Sequence, residues 1–259
     1  RLAVRFLDNV IDVNSYPVPQ IEDMAKGTRK IGLGVMGFAD MLIRMDVPYG
    51  SEMSIKVAEG LMQFIKAGAW EASMELAGQR GAFPNIKGSV FNKPVRNATV
   101  TTIAPTGTLS IIAGVSSGIE PIFSLSYTRE VLGKVEIHEF NQLFREAAVE
   151  RNFYSDGLME YVRKGGDIKD RVDVPQDIKR LFLTAFDISP ERHAAMQAAF
   201  QRHTDNAVSK TINLAHEATP ADVKRAYLKA YELGCKGVTV YRSGTRRGQT
   251  LSCKDTRYC

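Results

Sequence analysis

From Ala98 to Phe123 the chain reads "ATVTTIAPTGTLSIIAGVSSGIEPIF". The first part, Ala98 to Pro105, is β-branched and apolar, which predicts a buried strand ending at Pro105. "TGTLS" follows as a turn, and the rest reads as a mixed loop. Gly107 permits a tight bend whose successive N–H groups can converge on one anion. The hydroxyls of Thr106, Thr108 and Ser110 can complete the hydrogen bonding. No Gly-Lys-Ser/Thr follows, so this is not a Walker loop. Composition alone leaves an anion cradle and an ordinary strand–turn equally open.

On either side of this stretch the pattern is helical. Arg1–Val13 reads as a helix stopped by the "NSYPVPQ" breaker at Asn14–Gln20. Arg29–Met45 reads as a second, apolar helix, and Ser51 as the N-cap of a long one reaching about Ala77. Glu136–Arg163 has a helical period. Two more helices follow, the second with Ser189 as N-cap and Pro190 at its first position. "AVSKTINLA" and "GVTVYR" read as strands. They flank the best-marked helix, with Thr219 as N-cap, Pro220 at N1 and Asp222 at N3. Strands separated by helices predict an α/β fold with parallel pairing.

The 259 residues, 44% hydrophobic, suffice for one large domain or two small ones. The sequence opens at Arg1 inside an amphipathic pattern, and so reads as a piece of something longer. No apolar run approaches the roughly 20 residues of a membrane span, and no signal peptide opens the chain. The formal charge of +5 is spread out, with no basic block interleaved with aromatics, which argues against nucleic acid and suits a small anionic substrate. Three cysteines, Cys235, Cys253 and Cys259, make no disulfide framework, and a reducing cytoplasm is the expected compartment.

"RKIGLGVMGFADML", Arg29–Leu42, contains G-x-G-x-x-G at Gly32, Gly34 and Gly37. A dinucleotide turn needs an apolar strand before the first glycine and an acidic residue ending a second strand some 20 residues on. The preceding "EDMAKGTRK" is polar, and Glu52 opens a helix. The glycines are therefore expected to give a helix a small-residue face that a neighbouring helix or strand can approach closely. The same grounds argue against an NAD-dependent dehydrogenase.

Four motifs in order, "RKIGLGVMGFADML", "RNATVTTIAPTGTLSIIAGVSSGIEPIF", "DNAVSKTINL" and "AYELGCKGVTVYRSGTR", resemble the C-terminal half of the catalytic subunit of ribonucleotide reductase. The resemblance is to the adenosylcobalamin-dependent (class II) enzymes and covers residues 1–249, with 250–259 as a tail. It implies the second half of a ten-stranded α/β barrel, with a finger loop bearing the radical cysteine. It also implies that Pro105, Thr106, Gly107, Thr108, Leu109 and Ser110 grip the substrate phosphates. Thr106 and Thr108 would act through hydroxyls, and Gly107, Leu109 and Ser110 through backbone N–H groups. Gly118-Ile119-Glu120-Pro121 would shape the same pocket.

The family's radical and redox cysteines match nothing here and are expected upstream of Arg1, which makes the N-terminal half of the enzyme the first partner. A thioredoxin-like or dithiol reductant would supply electrons, and homodimerisation is compatible with the resemblance. Class I enzymes, which import a radical from a diiron subunit, carry two adjacent tyrosines where this chain has Val240-Tyr241; that departure favours class II. A class I fragment and a non-catalytic nucleotide-binding subunit of a split reductase remain alternatives. Cys253 and Cys259 invite comparison with the family's mobile redox tail, but five residues intervene, and a chance pair, or a chain cut just before a further domain, is equally open. Cys235 is expected to be a packing residue. His138, His193, His203 and His216 lack metal-ligand spacing, and His193 and His203 are expected on a solvent-facing helix.

Overall fold

The computed structural model describes residues 1–131, 135–245 and 251–252, without the side chains of 128–139 and 251–252. Helices α1 (Leu2–Val13), α2 (Pro19–Thr28), α3 (Phe38–Arg44) and α4 (Glu52–Arg80) come first. The short α5 (Gly107–Ala113), a hairpin of β1 (Ser126–Val131) and β2 (Val135–Phe140), and α6 (Gln142–Glu150) and α7 (Asp156–Arg163) follow. Next are α8 (Gln176–Leu181), α9 (Pro190–Gln201), β3 (Thr211–Leu214), α10 (Pro220–Glu232), β4 (Thr239–Arg242) and β5 (Leu251–Ser252). Among the described residues no helix is long and apolar enough to cross a membrane.

The caps form where the sequence places them. Ser51 Oγ accepts the Ser54 N–H at 3.1 Å, and Ser189 Oγ accepts that of Arg192 at 3.3 Å. Thr219 and Asp222 close a reciprocal capping box at the start of α10.

Four extended segments run parallel through the centre. Leu33 bridges Thr101, Ile103 bridges Val208, and β3 pairs along its length with β4. The expected strand at Ala98–Pro105 is thus extended backbone pinned on both sides. Leu33 N–H donates to Val100 O at 2.8 Å, and Ser209 N–H donates to Ile103 O at 2.9 Å. Asp205 and Asn206 staple the centre. Asp205 Oδ2 accepts the N–H groups of Val100 and Thr101 at 3.0 and 3.2 Å, and Asn206 Nδ2 donates to Ile31 O and Thr101 O. Helices join successive segments, as parallel pairing requires.

Three expectations fail. The helix expected over Arg29–Met45 exists only from Phe38 to Arg44, and the residues before it are extended. Gly32 and Gly34 therefore belong to a strand-like segment. A Cβ on Gly34 would lie 2.2 Å from Thr102 O, and one on Gly32 would lie 2.5 Å from Thr102 Cγ2. The glycines do serve close approach, but between extended chains. The helical period read from Glu136 is also wrong at its start, because Val135–Phe140 pairs antiparallel with β1. Helix α2 was hidden in the polar "EDMAKGTRK", and Pro19 in the supposed breaker is its first residue.

The main core lies between α3, α4, α9 and the 142–182 helices. Phe38 meets Phe200 edge-on at 5.0 Å, and Phe144 meets Phe182 likewise at 5.3 Å.

Candidate functional site

The parallel segment 99–103 delivers the chain to the turn. Ile103 is buried, Ala104 and Pro105 are exposed, and Thr106 takes left-handed backbone angles, φ 55° and ψ 30°. What read as a turn is the start of α5. Gly107, Thr108 and Leu109 are exposed in its first turn, while Ser110 is buried. The N–H groups of Thr108 and Leu109 fall where an α-helix has no acceptor of its own to offer.

One expected phosphate donor, the Ser110 N–H, is engaged elsewhere, and the Thr106 hydroxyl serves as an acceptor within the turn. The Thr106 hydroxyl oxygen accepts the Gly118 N–H at 2.7 Å. The Ser110 N–H donates to Thr106 O at 2.9 Å, and its hydroxyl lies 2.9 Å from that of Ser117. Thr106 and Ser110 therefore build the turn, and Gly107, Thr108 and Leu109 form its exposed edge.

The return segment, 116–120, fixes this shape. Gly118 has φ 49°, and a Cβ there would lie 2.9 Å from Ala104 O, so this position requires glycine. Asp40 Oδ2 accepts the Ser116 N–H at 2.6 Å, and Gly37 N–H donates to Ser116 O at 2.7 Å. Burial pushes the Asp40 carboxyl up from the usual range. The third glycine of the false dinucleotide motif, with Asp40, thus clamps the loop behind the candidate turn. Tyr49 Oη donates to Ile119 O at 2.6 Å from the same side.

On the other side lies a buried polar cluster. Glu120 Oε1 accepts the Thr211 N–H at 2.6 Å, and its Oε2 takes a hydrogen bond from Lys210 Nζ. Lys210 is 1% exposed, and its ammonium also reaches His193 Nδ1 at 2.9 Å and Thr211 O at 2.8 Å. His193 is fully buried, correcting the solvent-facing expectation for it, and its Nε2 lies 2.9 Å from Ala185 O. Burial, then the neighbouring ammonium, hold the imidazole down to about 3, so it is neutral at pH 7. Nε2 then carries the proton toward Ala185 O, and Nδ1 accepts from Lys210. Sequence reading gave Glu120 a shaping role and passed over Lys210, because a lysine in "VSKTINL" looks like a solvated strand position.

Beyond Glu120 the chain lines a cleft of about 180 Å³. Phe123 and Phe186 meet edge-on there at 5.6 Å, and Ala215, His216 and Ser243 close it just past the ends of β3 and β4. Ligands of parallel α/β sheets bind at such carboxyl ends. His216 Nδ1 lies 3.2 Å from Ser243 O, and among the described residues no group of three His, Cys, Asp or Glu could hold a metal. Cys235 is half-buried, and burial pushes its thiol up, as suits a packing residue. Val240 faces Ile212 across the β3–β4 ladder, and Tyr241 faces Asn213. The side chain of His138, and Cys253 and Cys259, lie outside the described residues.

Similarity to known proteins shows the family. The family model for the ribonucleotide reductase barrel domain matches residues 1–95 and 86–241. A vitamin B12-dependent ribonucleoside-diphosphate reductase of Thermoplasma acidophilum is 49% identical over 96% of this chain and 33% of the relative. A protein so named from Mycobacterium tuberculosis (strain CDC 1551) is 47% identical over 97% of the chain and 36% of the relative. The chain thus spans about a third of the length of these curated relatives. The alpha subunit of the Actinobacillus ureae class Id ribonucleotide reductase superposes with a TM-score of 0.81 over 94% of this chain and 46% of that one. At 24% identity this likeness shows the fold alone. The chain belongs to the ribonucleotide reductase barrel-domain family.

Proposed function

We propose that this chain is the substrate-phosphate wall of the catalytic barrel of an adenosylcobalamin-dependent ribonucleotide reductase. The observation that carries the reading is the exposed edge Gly107-Thr108-Leu109, presented at the carboxyl end of a parallel segment and braced from behind by Thr106, Gly118 and Ser110. The N–H groups and the Thr108 hydroxyl grip the phosphates of a ribonucleotide, and Pro105 fixes the exit from the strand. The four parallel segments are part of the second half of a ten-stranded barrel, whose remaining strands and finger loop belong to the preceding part of the enzyme.

The complete enzyme converts a ribonucleotide to its 2′-deoxy form. A cysteine thiyl radical in the preceding part abstracts the 3′ hydrogen, the 2′ hydroxyl leaves as water, and a cysteine pair, renewed by a dithiol or thioredoxin-like reductant, provides two electrons. This chain's share is orientation. Holding the phosphates fixes the ribose at one distance from the thiol, and such positioning can supply several kcal/mol of the barrier. The names of the B12-dependent relatives support the cofactor, and Val240 in place of a second tyrosine agrees with a radical made on the spot. A cleft of about 180 Å³ is smaller than the roughly 300–1,000 Å³ that hold drug-sized ligands, so these residues do not fit a corrin by themselves. The chain serves the substrate, and other parts of the protein take the cofactor.

Thr108→Ala in the complete enzyme tests the reading. It should weaken ribonucleotide binding about tenfold, by loss of one hydrogen bond to a charged group. Unchanged KM and kcat would remove Thr108 from the site. The isolated 259-residue chain, given adenosylcobalamin and a dithiol, should form no deoxyribonucleotide, and turnover would overturn the division of labour.

A further inference from the structure

The buried cluster of Lys210, His193 and Glu120 has no part in gripping phosphate, yet its construction is demanding. An ammonium with almost no solvent contact places its three hydrogens on Glu120 Oε2, His193 Nδ1 and Thr211 O, and the imidazole is locked into an accepting tautomer by Ala185 O. A buried ion pair of this kind is often no more stabilising than apolar residues of the same volume. What it does supply is a fixed geometry.

We propose that Lys210 is a positioning residue for the phosphate turn, acting through Glu120. The path is short. The Glu120 carboxylate is held to the start of β3 by Lys210 Nζ and the Thr211 N–H. The Glu120 N–H donates to Ser117 O at 2.9 Å, which closes a tight turn over Ser117–Glu120. Inside that turn Gly118 aims its N–H at Thr106 Oγ1, 2.7 Å away, and Thr106 is the left-handed residue that sets the direction of the exposed edge. Asp40 and Tyr49 tie the return segment to the α3 side, whereas Lys210 Nζ and the Thr211 N–H hold the Glu120 carboxylate to the strand side. Without Lys210 the carboxylate keeps the Thr211 N–H but loses its charged partner, and the segment loosens against the strand that flanks the turn. The same cluster reaches Ala185, whose N–H donates to Ile122 O at 2.8 Å, so the backbone between the cleft residues Thr184 and Phe186 is tied to it.

This inference rests on the phosphate reading above, and the experiment separates the two. In the complete reductase, Lys210→Met, Glu120→Gln and Thr108→Ala are compared for the dissociation constants of a ribonucleoside diphosphate and of the matching nucleoside, which lacks the phosphates. Lys210→Met and Glu120→Gln should each weaken the diphosphate about tenfold and leave the nucleoside unchanged, since only the phosphate grip is mis-set. Equal loss for both ligands would mean a merely structural role, and no loss for either would mean no role; each overturns the proposal. If Lys210→Met does not fold, the isosteric Glu120→Gln carries the same comparison. Should Thr108→Ala bind the diphosphate like wild type, the phosphate reading itself fails and the positioning role with it. Should Thr108→Ala weaken binding while Glu120→Gln does not, only the positioning role fails.

Discussion

Gly34→Ala is the sharpest test of how the centre is assembled. The added methyl carbon would stand 2.2 Å from Thr102 O, and real Cβ atoms essentially never come within 3.0 Å of such a neighbour. The obstacle is backbone, so no rotamer relieves it, and the two extended segments must part by about 0.8 Å. The Leu33 N–H to Val100 O bond, now 2.8 Å, and the Thr102 N–H to Leu33 O bond, now 3.0 Å, would then stretch past hydrogen-bonding distance. Two lost bonds at about 1 kcal/mol each, with residual strain, give a destabilisation of roughly 2–4 kcal/mol. At roughly 2–4 °C per kcal/mol for a domain of this size, Tm should fall by on the order of 5–15 °C. Urea denaturation of the complete protein measures it directly. Gly68→Ala, in α4 with nothing within 4 Å of the new methyl, is the matched control and should stabilise by about 0.5–1 kcal/mol. If Gly34→Ala proves as stable as its parent, the packing of residues 31–34 against 99–103 is not as described.

Further outcomes follow from the buried polar groups. Asp205→Ala strips the acceptor from the Val100 and Thr101 N–H groups and from the Thr101 hydroxyl, and should cost roughly 3 kcal/mol in denaturant titration. A loss below about 1 kcal/mol would mean those donors find other partners. His193 titrates near 6.5 when unfolded and about 3 when folded. A base with a lowered folded value contributes stability fully above pH 6.5 and loses it as pH falls toward 3. Between pH 6.5 and 5.5 the loss from this residue should be about 1 kcal/mol. Unfolding midpoints across that range should be flatter in His193→Gln, and an unchanged slope would count against a neutral buried imidazole. Gly118→Ala should destabilise by more than 1 kcal/mol through its left-handed angle and its closeness to Ala104 O, and should weaken ribonucleotide binding in parallel. Binding that survives intact would detach the return segment from the site.

Local signals were legible where a short stretch of sequence fixes its own geometry. Ser51, Ser189 and Thr219 cap as their neighbours predict, because a cap is settled within four residues. The parallel pairing of "KTINL" with "TVYR" also followed from pattern, since β-branched runs around a well-capped helix allow little else. The central failure lies where a partner distant in sequence decides. "IGLGVMGF" is apolar enough for a helix, yet its glycines answer to Thr102, a contact that no local window contains. Residues 135–140 alternate in the manner of a strand, but their charges imitate a solvated helix face. His193 sits in a helix whose residues from His193 to Gln201 are nearly all buried, and the missing polar face of "HAAMQAAF" was the available clue. The candidate turn was found by its glycine and hydroxyls. The division between groups that build it and groups that can meet a ligand depends on Gly118 and Ser117, and became visible only in three dimensions.

Thr106 holds a backbone conformation that ordinary side chains avoid, and its hydroxyl is what keeps it there. The rigidity of the turn is therefore settled when the protein folds. On the proposed function, a nucleotide arriving at Thr108 would meet a receptor that need not surrender loop entropy to take its final shape, so affinity would reflect the contacts themselves. Replacing Thr106 with valine, similar in size but lacking the hydroxyl, would remove the bond to the Gly118 N–H that braces this turn.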